Sequence, residues 1–262
     1  MDLSAIMQAL RVRPAEARPL LLMDFDGTLV DLTHDPDAVE LSSVRRGLLQ
    51  RLVDRPDLTI GVISGRRVAD LRVKVAVGDA AYCAGLHGLE IVGPGIDFLH
   101  SRAADTRVLI QQLTRSLIDA TKDLAGVRVE NKDLTVAMHV RGAAPAAQRR
   151  AEDILRELVE PHREAGALRV LRGHQVFELL PAVVWTKGDA VVRIKTEVEW
   201  RYKQAAWLIY VGDDVTDEDA FRAVGPEGMT IAVGDRPASA AFRLPNPDAV
   251  ERFLRQLALA DP

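Results

Sequence analysis

Cysteine is nearly absent. Cys83 is the single thiol in 262 residues, so no disulfide can close within the chain and a reducing compartment is expected. Positive charge is also short. The 34 Lys and Arg against 38 Asp and Glu leave a formal net charge of −4, which offers no electrostatic footprint for nucleic acid. No apolar run approaches the roughly 20 residues that a membrane helix needs. The opening MDLSAIMQALRVRPAEARP lacks the continuous apolar segment of a signal peptide. Internal repeats and low-complexity tracts are missing. So is a G-x-x-x-x-G-K-[ST] loop, which weighs against a nucleotide-hydrolysing motor. These shortages lead to the expectation of a soluble, cytoplasmic protein with no nucleic-acid or membrane partner.

What the sequence does hold is an ordinary globular composition, 48% hydrophobic and 27% charged. Its length suits one large domain or a core with an insert. From residue 19, short apolar strands alternate with amphipathic helices, the pattern of a mostly parallel sheet with helices on both faces. PLLLMDF reads as the first strand, and 43–54 as a helix. LTIGVIS (58–64) reads as the second strand, opening through Ser64–Gly65–Arg66 into another helix. A third strand and a turn at Gly85–Leu86–His87–Gly88 follow, and Gly93–Pro94–Gly95 interrupts the rhythm.

The middle of the chain behaves differently. A helix over about 101–123, a hairpin, a helix over about 145–164 and a second hairpin turning near Gly173 make an α+β unit with an antiparallel sheet. The α/β rhythm then resumes with a helix capped by Thr186, a strand ending at Asp213, and a closing helix with Asn246 as cap. The expected organisation is a parallel-sheet core over 1–100 and 182–262, with an inserted domain over 101–181.

Four clusters lie at the carboxyl ends of core strands or at a helix start, the edge where an open α/β sheet binds ligands. They are Asp24/Asp26/Thr28, Ser64–Gly65, Lys187, and Asp213 with Asp214 and Asp217. Carboxylates two residues apart at the end of a buried strand repel each other unless a positive partner sits nearby. Two acidic groups facing each other across the sheet edge form an all-oxygen site suited to Mg²⁺. A lysine and a hydroxyl beside backbone N–H groups suit a phosphoryl anion. One aspartate can then take the phosphoryl group covalently, while the other serves the leaving group and the incoming water as acid and base.

The ordered set D-x-D-G-T, S-G-R, K-G and G-D-D-x-x-D resembles the haloacid dehalogenase superfamily, whose core is Rossmann-like with an inserted cap. The resemblance implies Asp24 as nucleophile and Asp26 as acid/base. It implies Thr28, Ser64, Gly65 and Lys187 around the phosphoryl group, and Mg²⁺ on Asp24, Asp213 and the main-chain carbonyl of Asp26. Asp214 and Asp217 would support that shell, with Asp217 evenly placed for direct contact. GLHGLE, ENK…HVR, GHQVFELLP…TKGDAV and VGDDVTDEDAF carry a closer resemblance to the trehalose-phosphatase family. That implies trehalose 6-phosphate as substrate and a functional link to a trehalose-phosphate synthase. Competing readings are a phosphatase for sucrose phosphate or a glycosyl-phosphoglycerate, and a non-catalytic module that binds sugar phosphate.

In LTVAMHVR, Leu134, Val136, Met138 and Val140 share an apolar face, opposite Thr135, His139 and Arg141. In the second hairpin Phe177 and Leu179 are apolar, while His174 and Glu178 lie opposite. Polar faces of this kind can bond sugar hydroxyls. The resemblance places disaccharide contacts at Glu130, Lys132, Arg141 and Glu178, with His174 where the family usually has lysine. His87 is read either as a turn residue or as a substrate contact.

Overall fold

The computed structural model describes residues 3–33, 38–173 and 175–260; His174, one of the expected sugar contacts, lies outside them. The chain forms two compact units. One runs to Phe98 and resumes at Trp185, and the other is Leu99–Val184.

The first unit begins with helix α1 (Leu3–Arg11), strand β1 (Arg18–Met23), α2 (Ser43–Val53), β2 (Thr59–Ile63), α3 (Val68–Val75), β3 (Tyr82–Gly85), β4 (Glu90–Gly93) and β5 (Ile96–Leu99). The second unit contains α4 (Ser101–Asp105), α5 (Arg107–Thr121), β6 (Arg128–Asn131), β7 (Val136–His139), α6 (Pro145–Glu164), β8 (Leu168–Gly173) and β9 (Val176–Pro181). The first unit then closes with α7 (Lys187–Tyr202), β10 (Ala206–Gly212), α8 (Asp217–Val224), β11 (Met229–Val233), β12 (Phe242–Leu244) and α9 (Pro247–Leu259).

Its sheet has the order β12-β11-β10-β1-β2-β3-β4-β5. The pairs from β12 to β3 are parallel, and β4 turns back antiparallel to β3. Alternation within β1 shows why the sheet is covered twice. Leu21 and Met23 join the apolar cluster with Leu48 and Leu49 of α2 and Phe253 of α9. Leu20 and Leu22 point the other way, into the cluster with Val191 and Ile194 of α7 and Phe221 of α8. Each fully buried leucine contributes about 1.5–3 kcal/mol of transfer free energy, so strand and helices specify each other.

Three elements differ from the sequence-based reading. Leu3–Arg11 is helical and buries Ile6 and Leu10. The Gly93–Gly95 interruption is the turn of a β4–β5 hairpin that extends the main sheet, with Tyr82 donating its hydroxyl to the Pro94 carbonyl at 2.9 Å. The helix expected over 101–123 is two helices that meet at Thr106, whose hydroxyl bonds the Ala103 carbonyl at 2.9 Å. That side chain competes locally with a continuous helix.

In the second unit, β6-β7-β9-β8 form an antiparallel sheet. Val136, Met138, Val140, Phe177 and Leu179 pack on Ile110, Leu113 and Leu117 of α5 and Ile154 and Val159 of α6. The two-residue period of the hairpins therefore sets which face α5 and α6 cover.

Candidate active site

β1 and β10 are adjacent parallel strands whose chains leave in opposite directions, one toward β2 and β3, the other toward β11 and β12. A crevice at the carboxyl ends of such a pair is the ligand-binding position of open α/β sheets. β1 ends at Met23, immediately before Asp24, and β10 ends at Gly212, before Asp213. The Asp24 N–H bonds the Val211 carbonyl at 2.8 Å and fixes the register of the two ends.

Lys187 reaches this edge from the first turn of α7, which the Thr186–Asp189 capping box secures. Its Nζ lies 2.6 Å from Asp24 Oδ1 and 2.7 Å from Asp217 Oδ1. Asp217 Oδ1 also accepts the Tyr210 hydroxyl at 2.7 Å, and Oδ2 accepts the Asp214 N–H at 2.9 Å. Asp24, Lys187, Asp217 and Tyr210 are all buried. Asp213 stands beside them, with its Oδ1 accepting the Thr28 hydroxyl at 3.1 Å. Gly27 permits this closeness, because a Cβ there would collide with the Asp213 carboxylate and its φ is +83°.

Electrostatics leave the cluster short of positive charge. Carboxylate oxygens of Asp24, Asp213 and Asp217 lie within 4.8 Å of one another, around a single ammonium. Burial pushes the Asp24 carboxyl well above the ordinary carboxylate range, against the pull of Lys187, and Asp217 and Asp213 push it further. Burial and then Asp217 raise Asp213 to about 6. Burial opposes the charge of Lys187, but Asp217 and Asp24 hold its pKa well above the ordinary lysine value. An all-oxygen donor set with surplus negative charge fits a hard divalent cation.

Asp26 sits differently. Both its oxygens accept from Arg66, at 2.7 Å from Nε and 2.7 Å from Nη2, and Arg66 Nη1 also donates to Asp70 at 2.9 Å. The acidic cluster therefore consists of Asp24, Asp213 and Asp217, and the Asp26 carboxylate belongs to an arginine pair. Asp214 turns its side chain toward the Thr216 hydroxyl at 3.4 Å. Ser64 is buried after β2; its N–H bonds the Ala84 carbonyl at 2.9 Å, and its hydroxyl accepts the Arg66 N–H at 3.2 Å. Gly65 follows it in the same turn. His87, at φ +58°, is anchored by its N–H to the Ser64 carbonyl at 3.0 Å.

Within the second unit, Lys132 Nζ and the Thr135 hydroxyl both donate to Glu178 Oε1 at 3.2 Å. Glu130 pairs instead with His139 Nε2 at 2.8 Å. Burial opposes ionisation of Glu130, but the His139 bond and Lys132 hold its carboxyl below the usual range. Arg141 is half-buried just beyond β7.

Sequence reading alone assigned no role to Arg66 or Tyr210, and it placed Thr135 only on a polar strand face, without its bond to Glu178. Arg66 stood within S-G-R. Tyr210 was one residue of an apolar run.

The trehalose-phosphatase family model matches residues 22–248. The chain is 37% identical over 247 residues to the trehalose-phosphate phosphatase of Mycobacterium tuberculosis (strain ATCC 25618 / H37Rv), a match covering 92% of this chain and 61% of that protein. The C-terminal domain of Candida albicans trehalose-6-phosphate phosphatase superposes with a TM-score of 0.81 at 23% identity, over 100% of this chain and 99% of that one. A trehalose-6-phosphate phosphatase related protein gives 0.79 at 20% identity, over 92% and 97%. The two structures share the fold. The family match runs from β1 into the start of α9, across Asp24, Lys187 and Asp213 and the whole second unit, and with it the chain belongs to the trehalose-phosphatase family.

Proposed function

We propose that this chain is a Mg²⁺-dependent phosphatase that hydrolyses trehalose 6-phosphate to trehalose and phosphate through an aspartyl-phosphate on Asp24. The observation that carries the reading is Lys187, buried between Asp24 and Asp217 at 2.6 and 2.7 Å with Asp213 alongside. Asp24 and Asp213, with the main-chain carbonyl of Asp26, would hold the ion, which when bound supplies positive charge against the phosphoryl oxygens. Asp217 spends its oxygens on Lys187, Tyr210 and the Asp214 N–H, which favours a supporting role.

A phosphate monoester dianion repels an incoming carboxylate, and Lys187 offsets that repulsion at the nucleophile itself. Asp24 attacks phosphorus in line as the sugar oxygen departs. Asp26, having taken a proton from solvent on leaving Arg66, gives it to that oxygen and then, as the carboxylate, takes one from the water that releases phosphate. Both oxygens of Asp26 face Arg66, so this duty requires the carboxylate to exchange Arg66 for the substrate. Ser64, Gly65 and Thr28 complete the phosphoryl surroundings.

The inserted domain over 101–181 acts as the specificity cap, with Glu130, Lys132, Arg141, His174 and Glu178 reading sugar hydroxyls. Trehalose 6-phosphate would come from a trehalose-phosphate synthase, and the setting is cytoplasmic. Among the described residues no helix is long and apolar enough to cross a membrane.

Phosphate release with Mg²⁺ tests the reading. The panel holds trehalose 6-phosphate, sucrose 6-phosphate, glucose 6-phosphate and a glycosyl-phosphoglycerate, each with an EDTA control. Strong preference for trehalose 6-phosphate, lost with EDTA, is the expected result. Preference for another sugar would move the error to the cap residues, and silence on all four would sink the catalytic reading.

A further inference from the structure

We propose that Arg236 is the positioning residue of the acidic loop, holding the Asp213 carboxylate where it can ligate a divalent cation. The inference rests on the reading of Asp213 as a metal ligand. Arg236 lies on the connection from β11 to β12, outside every motif that marked the site. Its Nε donates to the Asp213 carbonyl at 3.1 Å, and its Nη2 donates to the Asp214 carbonyl at 2.7 Å and to Glu218 Oε1 at 3.1 Å. Nη1 closes on the Pro237 carbonyl at 3.0 Å.

The clamp has a second jaw. Glu218 Oε2 accepts the Ser239 N–H at 3.2 Å and the Ser239 hydroxyl at 2.5 Å, so the two connections are joined at both ends of the 236–239 stretch. Burial opposes the charge of Glu218, but the Ser239 bonds and Arg236 hold its carboxyl below the usual range. Four carboxylates, those of Asp213, Asp214, Asp217 and Glu218, crowd the six residues from the end of β10 into the first turn of α8, and like charges at that density repel and favour spreading. Arg236 opposes the spreading from a different segment. It engages the two carbonyls directly, and a planar fork can do this where a single ammonium cannot. Placement here has little slack, because Gly27 leaves no gap against the Asp213 carboxylate. Partners that orient metal ligands typically alter affinity by about 10–100-fold when removed.

Charge and positioning predict opposite signs, which makes the test decisive. A cation near a Mg²⁺ site weakens binding through repulsion, so an Arg236 that acted only as a charge would tighten binding when removed. Calorimetric titration of the full chain with Mg²⁺ compares wild type, Arg236→Ala, Arg236→Lys and Asp213→Asn, with thermal unfolding of each alongside. Positioning predicts binding weaker by roughly 10-fold or more in both Arg236 variants, including the lysine variant that keeps the charge. Tighter binding in Arg236→Ala, or wild-type binding in Arg236→Lys, overturns the inference. If Arg236→Ala fails to fold, Arg236→Lys decides alone. Unchanged affinity in Asp213→Asn would remove the metal reading and the inference with it. Weakened Asp213→Asn beside an unchanged Arg236→Lys overturns the inference only.

Discussion

Arg66 closes on Asp26 through two bonds of 2.7 Å, one to each carboxylate oxygen. The guanidinium is itself fixed, donating to Asp70 at 2.9 Å and lying over the Phe25 ring at 5.4 Å from its centroid. The carboxylate proposed to serve the leaving alkoxide is thus held against a cation, two residues beyond the proposed nucleophile Asp24. Asp26→Ala separates the two half-reactions. With p-nitrophenyl phosphate, whose leaving group needs no proton, the variant is expected to release one equivalent of p-nitrophenol in a burst. Steady turnover should then fall by about 10²–10⁴-fold. Rapid-mixing absorbance measures both phases, and linear release at the wild-type rate would end the acid/base assignment.

Asp24→Asn tests the nucleophile. The amide keeps the shape of the carboxylate and removes a charge whose burial already raises the Asp24 pKa, so folding should persist. Turnover should fall by at least roughly 10³-fold, as when other enzymes lose a nucleophile. Phosphate release and circular dichroism on the same sample decide it, and retained turnover would falsify the covalent route.

The sequence made the site's edge legible wherever chemistry and backbone signals coincided. Asp24 and Asp213 close apolar runs that could only be buried strands, and Lys187 follows a threonine cap at a helix start. The pairing of Asp26 with Arg66 was beyond reach, because it depends on where two strand ends meet across 40 residues of chain. Tyr210 was hidden for another reason. In AWLIYVG it looks like core, and only the alternation of β10 against α7 and α8 turns its hydroxyl toward Asp217. The β4 and β5 strands, four residues each, were too short to show a period, so Gly93–Pro94–Gly95 looked like a boundary rather than a hairpin turn. In the second unit the period-two pattern was clear, and its apolar half packs on α5 and α6. The pattern could not show that Thr135, on the polar half, is fully buried and bonded to Glu178.

Glu178 offers the sharpest test of sugar recognition. Its Oε1 receives both Lys132 and Thr135 at 3.2 Å, which fixes a charged acceptor on the hairpin. Glu178→Gln should lower kcat/KM for trehalose 6-phosphate by roughly 10–100-fold, the worth of a charged hydrogen bond. It should leave p-nitrophenyl phosphate within about two-fold of wild type, since that substrate offers no sugar hydroxyls. An equal loss on both substrates would mean that Glu178 only ties its strand to the β6–β7 connection and reads nothing.

Cys83 supplies a pH test remote from the chemistry. The thiol is 3% exposed on β3, and burial pushes its pKa up to about 11, whereas an unfolded thiol titrates near about 8.5. Between those values the unfolded chain binds fewer protons than the folded one, so stability falls as pH rises. The contribution is intact below about 8.5 and is lost as pH approaches 11. Two observations check it. At pH 8 the native thiol should react with Ellman's reagent far more slowly than the urea-unfolded chain, because only the thiolate attacks. Urea midpoints of wild type and Cys83→Ala at pH 7 and pH 10 give the thermodynamic side. Wild type should lose ground to the alanine variant at the higher pH, and an identical gap at both would show that Cys83 does not titrate as its burial requires.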